Sequence, residues 1–281
     1  MRILITGAAG MLGQDLQRTL GAAGHDAAPF SRAELDIRNV TALTKAMTDV
    51  DPEVVINCAA WTNVDGAETD EDAAMSVNGA GAGNVARAAA AHGAWTIHIS
   101  SDYVFDGSKR EPYLESDPVG PLSAYGRTKL AGEVEVARHA PGAHTIVRSS
   151  WLFGIAGPCF PATIMRLARE RDELRVVDDQ VGCPTFTGHL AGALTELATT
   201  RPLAILHLAG GGECSWYEFA REIVARAGLA IEVAPTTTEE FPRPAPRPAY
   251  SVLRSENRNV PRLPHWRDGL AEYLAAGVPA T

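Results

Sequence analysis

The chain has 281 residues, of which 46% are hydrophobic and 21% charged, and its formal net charge at pH 7 is −9. This composition excludes a disordered chain, and the acidic balance argues against nucleic acid or an anionic membrane surface as partners. The sequence has no run of about 18 apolar residues and its first residues lack the apolar region of a signal peptide. We therefore expect a cytoplasmic protein with no membrane partner.

The first half of the chain alternates short apolar runs with helical patterns, an order typical of βαβ units and a parallel sheet. The predicted strands span residues 2–6, 26–30, 54–57, 95–99 and 145–148. The predicted helices span residues 12–23, 40–49, 72–91 and 123–139. The pattern predicts an α/β fold with a Rossmann-like, doubly wound parallel sheet.

The alternation weakens after Trp151, and proline-containing segments interrupt it. The most prominent of them, residues 241–248, has proline at every second position. A polyproline spacer or a peptide ligand is one interpretation of such a tract, but its place inside the C-terminal region favours a packed loop. We therefore expect a smaller, loop-rich C-terminal lobe.

The cysteines and histidines show no metal or disulfide spacing. Cys58, Cys159, Cys183 and Cys214 form no CxxC pair, and the eight histidines form no HExxH. We therefore predict free, buried thiols and no metal site.

A glycine loop follows the first predicted strand and opens the first predicted helix. Its GxxGxxG pattern has one residue more between the first two glycines than GxGxxG. Small residues at such a turn let the backbone approach a pyrophosphate, whose charge is met by the helix N-terminus. A simple packing turn is the alternative, but the position after a strand favours a dinucleotide site. The loop contacts that we predict are Gly7, Gly10, Met11, Leu12 and Gly13.

The end of the second strand bears on which dinucleotide binds. Ser31 and Arg32 stand where an acidic residue would bind the ribose of NAD, and an arginine there can pair with a 2′-phosphate. The sequence thus favours NADP, with NADPH preferred and NADH left as an alternative. The further cofactor contacts that we predict are Asp36, Ile37, Cys58, Ala59, Ala60, Ser100, Tyr125 and Lys129.

Tyr125 and Lys129 are four residues apart in a predicted helix and therefore project from one face. We expect the Lys129 ammonium to lower the pKa of Tyr125 and make the phenol a usable proton donor. Ser101 follows the fourth strand, where it can hydrogen-bond a substrate carbonyl. The sequence thus predicts Ser101, Tyr125 and Lys129 as catalytic residues; an exposed tyrosine and lysine would be the alternative.

Together these motifs resemble the extended short-chain dehydrogenase/reductases, and within them the dTDP-4-dehydrorhamnose reductases. The resemblance extends over most of the chain, and its most specific segments are Ser101-Asp102-Tyr103-Val104-Phe105 and Asp179-Gln180-Val181-Gly182-Cys183-Pro184-Thr185. It implies reduction of the C4 keto group of a dTDP-4-keto-6-deoxyhexose, above all dTDP-4-dehydro-L-rhamnose to dTDP-L-rhamnose. The substrate contacts that it implies are Ser101, Asp102, Val104, Phe105, Tyr125, Trp151 and, at the diphosphate, Arg247.

The resemblance also suggests domain boundaries. Residues 1–153, completed by about 185–214, correspond to a dinucleotide-binding domain, and residues 154–184 and 215–281 to a smaller substrate-binding lobe. His189 occupies a position where some members have a magnesium-bridging glutamate at a dimer interface. We therefore predict no metal and leave a homodimer open.

Two segments depart from the family pattern. Pro158-Cys159-Phe160 stands where Asn-Asn-Phe or Gly-Asn-Phe is usual, and Tyr250 stands where asparagine is usual. We expect both places to line the sugar pocket. These changes leave open a reductase of another NDP-4-keto-deoxysugar. An NDP-sugar epimerase and a non-catalytic regulatory subunit are further alternatives, whereas Tyr103 after Asp102, in place of glutamate, argues against a dehydratase.

Overall fold

Twelve strands are present in the computed structural model, which describes residues 1–277. In chain order they are β1 (Arg2–Thr6), β2 (Asp26–Phe30), β3 (Val54–Asn57), β4 (Trp95–Ser101), β5 (His144–Ser149), β6 (Leu152–Phe153), β7 (Glu173–Val177), β8 (Val181–Gly182), β9 (Thr185–Phe186), β10 (Ala204–His207), β11 (Cys214–Ser215) and β12 (Glu232–Thr236).

Ten α-helices accompany the strands in the described part of the chain. They are α1 (Met11–Ala22), α2 (Val40–Val50), α3 (Val64–Thr69), α4 (Glu71–Met75), α5 (Ala82–Ala91), α6 (Ala124–His139), α7 (Phe160–Glu170), α8 (Thr187–Thr200), α9 (Trp216–Arg226) and α10 (Trp266–Ala275). A π-helical turn spans Ser76–Gly81 and a 3₁₀ turn spans Asp102–Val104. None of the helices in residues 1–277 has the length and apolar character that crossing a bilayer requires.

The central sheet has six strands in the order β10-β5-β4-β3-β1-β2, and every neighbouring pair is parallel. Its inner strands are continuous buried runs, as expected when helices cover both faces of a parallel sheet. Apolar residues of α1 and α8 share a core with one face, and those of α2 and α5 with the other. The predicted Rossmann-like fold is confirmed.

The strand order of the sheet reverses at β1. This strand pairs with β2 on one side and with β3 on the other, so the connections leave it towards opposite edges. In open parallel sheets a ligand crevice forms outside the carboxyl ends of the strands at such a point. The glycine loop after β1 and the segment after β3 therefore face each other across this crevice.

Two predicted elements differ from the structure. The fourth strand continues two residues beyond the predicted end, because Ser100 and Ser101 pair with Arg148 and Ser149 of β5. The helix predicted over 72–91 is interrupted by the π turn, in which Asn78 donates to the Thr128 hydroxyl of α6 at 3.0 Å. Backbone pairing with β5 thus extended the strand, and a polar side-chain contact accompanies the π turn.

The C-terminal region packs around its own aromatic core, whose largest buried members are Phe153, Phe219, Trp266 and Tyr273. Three two-stranded ladders, β6–β9, β7–β12 and β8–β11, border this core. The 241–248 tract forms a loop as predicted, without helix or strand. Residues 278–281 of the predicted substrate-binding lobe lie outside the described residues.

A buried ion pair fastens α6 to the central sheet. Arg148 of β5 donates to both Glu133 oxygens, at 2.9 and 2.7 Å, and the Ser100 hydroxyl of β4 donates to the same carboxylate at 2.5 Å. Both charged side chains are at most 4% exposed. Because neither charge can be hydrated, each depends on the other for its stability.

Removing one partner of this pair should strongly destabilise the protein. We expect Glu133→Gln to lower the free energy of unfolding by about 3–5 kcal/mol, because the Arg148 charge stays buried and unpaired. Glu170→Gln, which removes an exposed carboxylate paired with Arg166, is the matched control and should cost less than ~1 kcal/mol. Urea denaturation measures both variants; similar small losses would contradict the expectation.

Candidate active site

A cavity of about 620 Å³ opens at the carboxyl ends of β1, β3, β4 and β5. Its lining includes Gly7, Gly10, Met11, Leu12, Gly13, Cys58, Ala60, Thr62, Val64, Ser100, Ser101, Asp102, Tyr103, Tyr125, Lys129, Ser149, Ser150, Trp151, Pro158 and Trp216. The glycine loop and all three predicted catalytic residues therefore meet in one cavity.

The glycine loop has a conformation that side chains would prevent. Gly7 has φ +69°, and a Cβ on it would lie 2.7 Å from the Ala59 nitrogen. A Cβ on Gly13 would lie 2.6 Å from the Gly7 carbonyl oxygen. Helix α1 begins at this loop with Gly10 as N-cap, without a side-chain cap and without an acidic residue in its first turn. This helix start suits an anionic group such as a pyrophosphate.

The other predicted cofactor contacts fall into two groups. Cys58, Ala60 and Ser100 line the cavity, and Ala59 packs against Gly7. The remaining four, Ser31, Arg32, Asp36 and Ile37, are not part of the lining.

The structure gives these four residues different surroundings at the end of β2. Arg32 is exposed and Ser31 half-buried. Asp36 pairs with Arg38, whose hydrogen bonds lower the pKa of the Asp36 carboxyl to about 2. The Ile37 side chain is 3% exposed and packs in the core shared with α2 and α5, so the predicted cofactor contact of Ile37 would be made by its backbone.

Ser101 and Asp102 form a hydrogen-bonded pair at the end of β4. The Ser101 hydroxyl donates to Asp102 Oδ1 at 3.0 Å, and the Ser251 hydroxyl donates to Asp102 Oδ2 at 2.6 Å. Burial raises the pKa of Asp102 to about 6, although both hydroxyls act to lower it. The carboxylate thereby links the strand end to the C-terminal region.

Tyr125 lies against Tyr103 with an edge-to-face ring geometry at a centroid distance of 5.5 Å. Burial raises the pKa of Tyr125 to about 12, while the Ser101 hydroxyl acts to lower it. The expectation of a lowered Tyr125 pKa is therefore wrong, because the loss of hydration on burial outweighs the interactions that favour the phenolate. The phenol is protonated at neutral pH, which is the form that donates a proton.

Lys129 is almost completely buried, about one helical turn after Tyr125 in α6. Its Nζ donates to the Ile99 carbonyl at 2.7 Å. Burial lowers the pKa of Lys129 to about 8, and the carboxylate of Glu133 acts against this shift. The lysine is thus held by the strand that carries Ser101.

The structure does not bring Val104 and Phe105 into the cavity, so their prediction as substrate contacts is wrong. Both side chains are 0% exposed, and Phe105 stacks on Tyr113 at a centroid distance of 4.3 Å. The 3₁₀ turn after β4 explains the error. It presents Asp102 and Tyr103 to the cavity and directs the next residues into the core.

Trp151 forms one wall of the cavity in a constrained conformation. Its φ is +46°, and its indole lies parallel to that of Trp216, with centroids 3.5 Å apart and an interplanar angle of 5°. Gly182 lies against the same indole, where a Cβ would come within 2.4 Å of the ring. The indole is therefore held between Gly182 and Trp216.

Sequence reasoning missed Trp216, Tyr103, Ser149 and Ser150. The two serines carried a usable signal, since Ser149 ends β5, Ser150 follows it, and parallel strands present their carboxyl ends to the same crevice. Trp216 begins α9 after the capping box of Ser215, a signal that predicts only a helix start.

Arg247 lies outside the cavity lining and contacts Asp65 of α3 at 3.1 Å. It nevertheless stands near the cavity wall. Burial raises the pKa of Tyr103, a lining residue, and the charge of Arg247 acts to lower it.

The four cysteines are free thiols, as predicted, and Cys159, Cys183 and Cys214 are buried, whereas Cys58 is half-buried. His189 Nε2 lies 2.9 Å from Glu272 Oε1. Within residues 1–277 no group of three or more metal-ligating side chains is assembled.

The sequence profile of one family, the RmlD substrate binding domain, matches residues 1–278. The chain belongs to this family. The dTDP-4-dehydrorhamnose reductase of Streptomyces griseus is 43% identical over 284 residues, covering 98% of this chain and 93% of that protein.

Two solved structures have the same fold. A dTDP-4-dehydrorhamnose reductase from Clostridium acetobutylicum superposes with a TM-score of 0.95 at 45% identity, covering 98% of this chain and 99% of that one. A dTDP-4-dehydrorhamnose reductase from Bacillus anthracis in complex with NADP gives 0.94 at 39% identity, with coverage of 98% and 99%. The resemblance inferred from the motifs is confirmed.

The burial of Lys129 should make stability depend on pH. The folded-state pKa of about 8 lies below the ordinary 10.5, so the folded protein loses this proton first as pH rises. Burial of the charged form therefore costs stability below pH 8, and the cost disappears between pH 8 and 10.5.

Urea denaturation of wild type and Lys129→Met at pH 7 and 9.5 tests this. Relative to the variant, the wild type should gain about 2 kcal/mol between the two pH values. Lys45→Met, on the exposed surface of α2, controls for general alkaline effects. A wild-type-to-Lys129→Met difference that stays constant with pH would contradict the expected shift.

Proposed function

We propose that the protein is an NADP-dependent oxidoreductase that reduces the C4 keto group of a dTDP-4-keto-6-deoxyhexose. The most specific form of the proposal is conversion of dTDP-4-dehydro-L-rhamnose to dTDP-L-rhamnose. One observation carries it: Ser101, Tyr125 and Lys129 line the same cavity as the glycine loop. The names of the Streptomyces griseus and Bacillus anthracis relatives support the substrate class and the cofactor.

The β1–α1 loop is the part of the site that would hold the pyrophosphate of the cofactor. Its fit rests on the uncapped start of α1 and on the positive φ of Gly7. When bound, a reduced nicotinamide supplies the hydride for the sugar carbon. Cys58, Ala59, Ala60 and Ser100 would border the nucleoside, with Ser31, Arg32 and Asp36 at the adenosine end.

Tyr125 donates the proton to the carbonyl oxygen in this proposal. Its pKa of about 12 keeps the phenol protonated until the oxygen becomes basic. Ser101 turns its hydroxyl from Asp102 to the same oxygen and holds it at the phenol. Lys129 stabilises the phenolate that remains, through a positive charge fixed at the Ile99 carbonyl.

Asp102 and Trp151 are the proposed contacts of the sugar, and Arg247 that of the diphosphate, since an arginine fork suits phosphate oxygens. We further propose the division into a dinucleotide-binding domain of residues 1–153, completed by about 185–214, and a substrate-binding lobe. We also propose, from the sequence, a cytoplasmic location and a homodimer.

The function is tested by following NADPH absorbance with dTDP-4-keto-6-deoxyglucose, with and without a 3,5-epimerase. Oxidation only with the epimerase, and dTDP-L-rhamnose as product by NMR, is the expected result. A second candidate, reduction of another NDP-4-keto-deoxysugar, is favoured by Pro158 on the cavity wall, where the family resemblance implies asparagine or glycine. Turnover without the epimerase, or a different product, would favour this candidate.

Tyr125→Phe removes the proposed proton donor and keeps the ring. We expect kcat to fall about 10²–10⁴-fold, with NADPH affinity within about threefold of wild type, since the hydroxyl is lost without repacking. Tyr217→Phe, on α9 and outside the cavity lining, is the matched control. Retention of wild-type kcat by Tyr125→Phe would exclude it as the donor.

Arg32→Ala tests the choice of cofactor. The side chain is exposed at the end of β2, so its removal should not disturb the fold. We expect NADPH affinity to fall by at least tenfold and NADH affinity to change by less than threefold, because only NADPH carries the 2′-phosphate. Fluorescence titration of both cofactors measures this; equal losses would mean that Arg32 does not contact the phosphate.

A further inference from the structure

The loop of residues 241–248, here called the arginine strap, is fastened to α3 through one carboxylate. Asp65 Oδ2 accepts from Arg243 Nε at 3.0 Å and from Arg243 Nη2 at 2.5 Å. Asp65 Oδ1 accepts from Arg247 Nη1 at 3.1 Å and from the Ala245 nitrogen at 3.2 Å. A single side chain of α3 thus fixes three residues of the strap.

The fastening point lies at the cavity. Val64, the residue before Asp65, lines the cavity, and Tyr103 lines it as well. The charge of Asp65 acts to raise the pKa of Tyr103, and that of Arg247 acts to lower it. Tyr103 in turn contacts the Tyr125 ring. The strap therefore borders the cavity on the side of the proposed proton donor.

The charges at this place do not cancel. Two guanidinium groups share one carboxylate, which leaves a local excess of one positive charge in a chain of net charge −9. Among the residues that the structure describes, Arg243 Nη1 and Arg247 Nε donate to no protein acceptor. These two N–H donors and the excess positive charge are available to bind an anion.

The strap also has little conformational freedom to lose when a ligand binds. Proline occupies positions 242, 244, 246 and 248, and each proline fixes φ near −65°. Arg247 Nη1 additionally donates to the Ala245 carbonyl at 2.9 Å. Binding sites that are ordered beforehand pay less entropy on association.

We propose that Asp65 is a positioning residue that holds Arg243 and Arg247 as a paired anion site for the diphosphate of a nucleoside diphosphate sugar. This proposal rests on the proposed function for the substrate class. It adds Arg243 and Asp65 to the proposed diphosphate site. It also makes Asp65 favourable for diphosphate binding, although its negative charge alone would oppose that binding. A carboxylate beside a diphosphate repels it, so its benefit must come from the geometry that it imposes on the two arginines.

Asp65→Asn separates charge from geometry. The variant makes the site more positive, so arginines that supplied only charge would bind a diphosphate more tightly. Positioning by Asp65 has the opposite result, since an amide cannot accept the same set of hydrogen bonds. We expect dTDP affinity to fall at least tenfold, with affinity for thymidine, which lacks the diphosphate, unchanged within about twofold.

Isothermal titration of the full-length protein with dTDP and with thymidine measures this effect without turnover. Glu170→Gln removes an exposed carboxylate paired with Arg166 and is the matched control. NADPH affinity should be retained in Asp65→Asn, and Asp65→Glu should recover part of the dTDP affinity. Arg243→Gln should weaken dTDP binding in the same way. This variant tests the proposal if the Asp65 variant does not fold.

Unchanged or tighter dTDP binding by Asp65→Asn would overturn the proposal, as would equal losses for dTDP and thymidine. With turnover established, KM for the sugar substrate should rise at least tenfold in this variant and kcat should change by less than threefold. Absence of reductase activity together with Asp65-dependent dTDP binding would reject the proposed function and leave the paired arginine site standing.

Discussion

The ion pair between Glu133 and Arg148 sets the place of α6 on the central sheet. Both charges are buried, so the protein can keep them only while α6, β4 and β5 stay in register. Lys129, one helical turn before Glu133, reaches the Ile99 carbonyl of β4. These polar contacts connect α6, which carries Tyr125, to β4, which carries Ser101.

The same pair also influences the charge of the site. Burial acts to remove the Lys129 proton, and the Glu133 carboxylate acts to retain it. Glu133 itself is neutralised by Arg148, so it offers Lys129 only part of a full counter-charge. The Glu133 carboxylate therefore acts both on the attachment of α6 to the sheet and on the charge of Lys129.

Local features of the sequence predicted five of the six strands of the central sheet, all but β10, and the meeting of the glycine loop with the Tyr125 helix. Period and spacing are enough for this, because the carboxyl ends of parallel strands face one crevice. The features that escaped prediction depend on contacts across long stretches of chain. Asp65 and Arg247, which pair in the structure, are 182 positions apart. Trp151 stacks on Trp216, and no sequence motif relates the two segments that carry them.

Errors within the site have a related origin. Val104 and Phe105 follow a strand end, as catalytic residues often do, but a single 3₁₀ turn decides which side chains reach the cavity. The direction of the Tyr125 pKa shift depends on its burial, and burial is a property of the folded molecule. Residue type and spacing predict which groups meet, whereas the surrounding structure decides their protonation.

The pKa values of Tyr125 and Lys129 describe the protonation of the site at neutral pH. In water tyrosine and lysine lose their protons at similar pH, but here the pKa of Tyr125 is about 12 and that of Lys129 about 8. At neutral pH the phenol is therefore a poor base and remains a donor, which suits reduction of a carbonyl. Oxidation of an alcohol by the same groups would need the phenolate, which the buried ring disfavours.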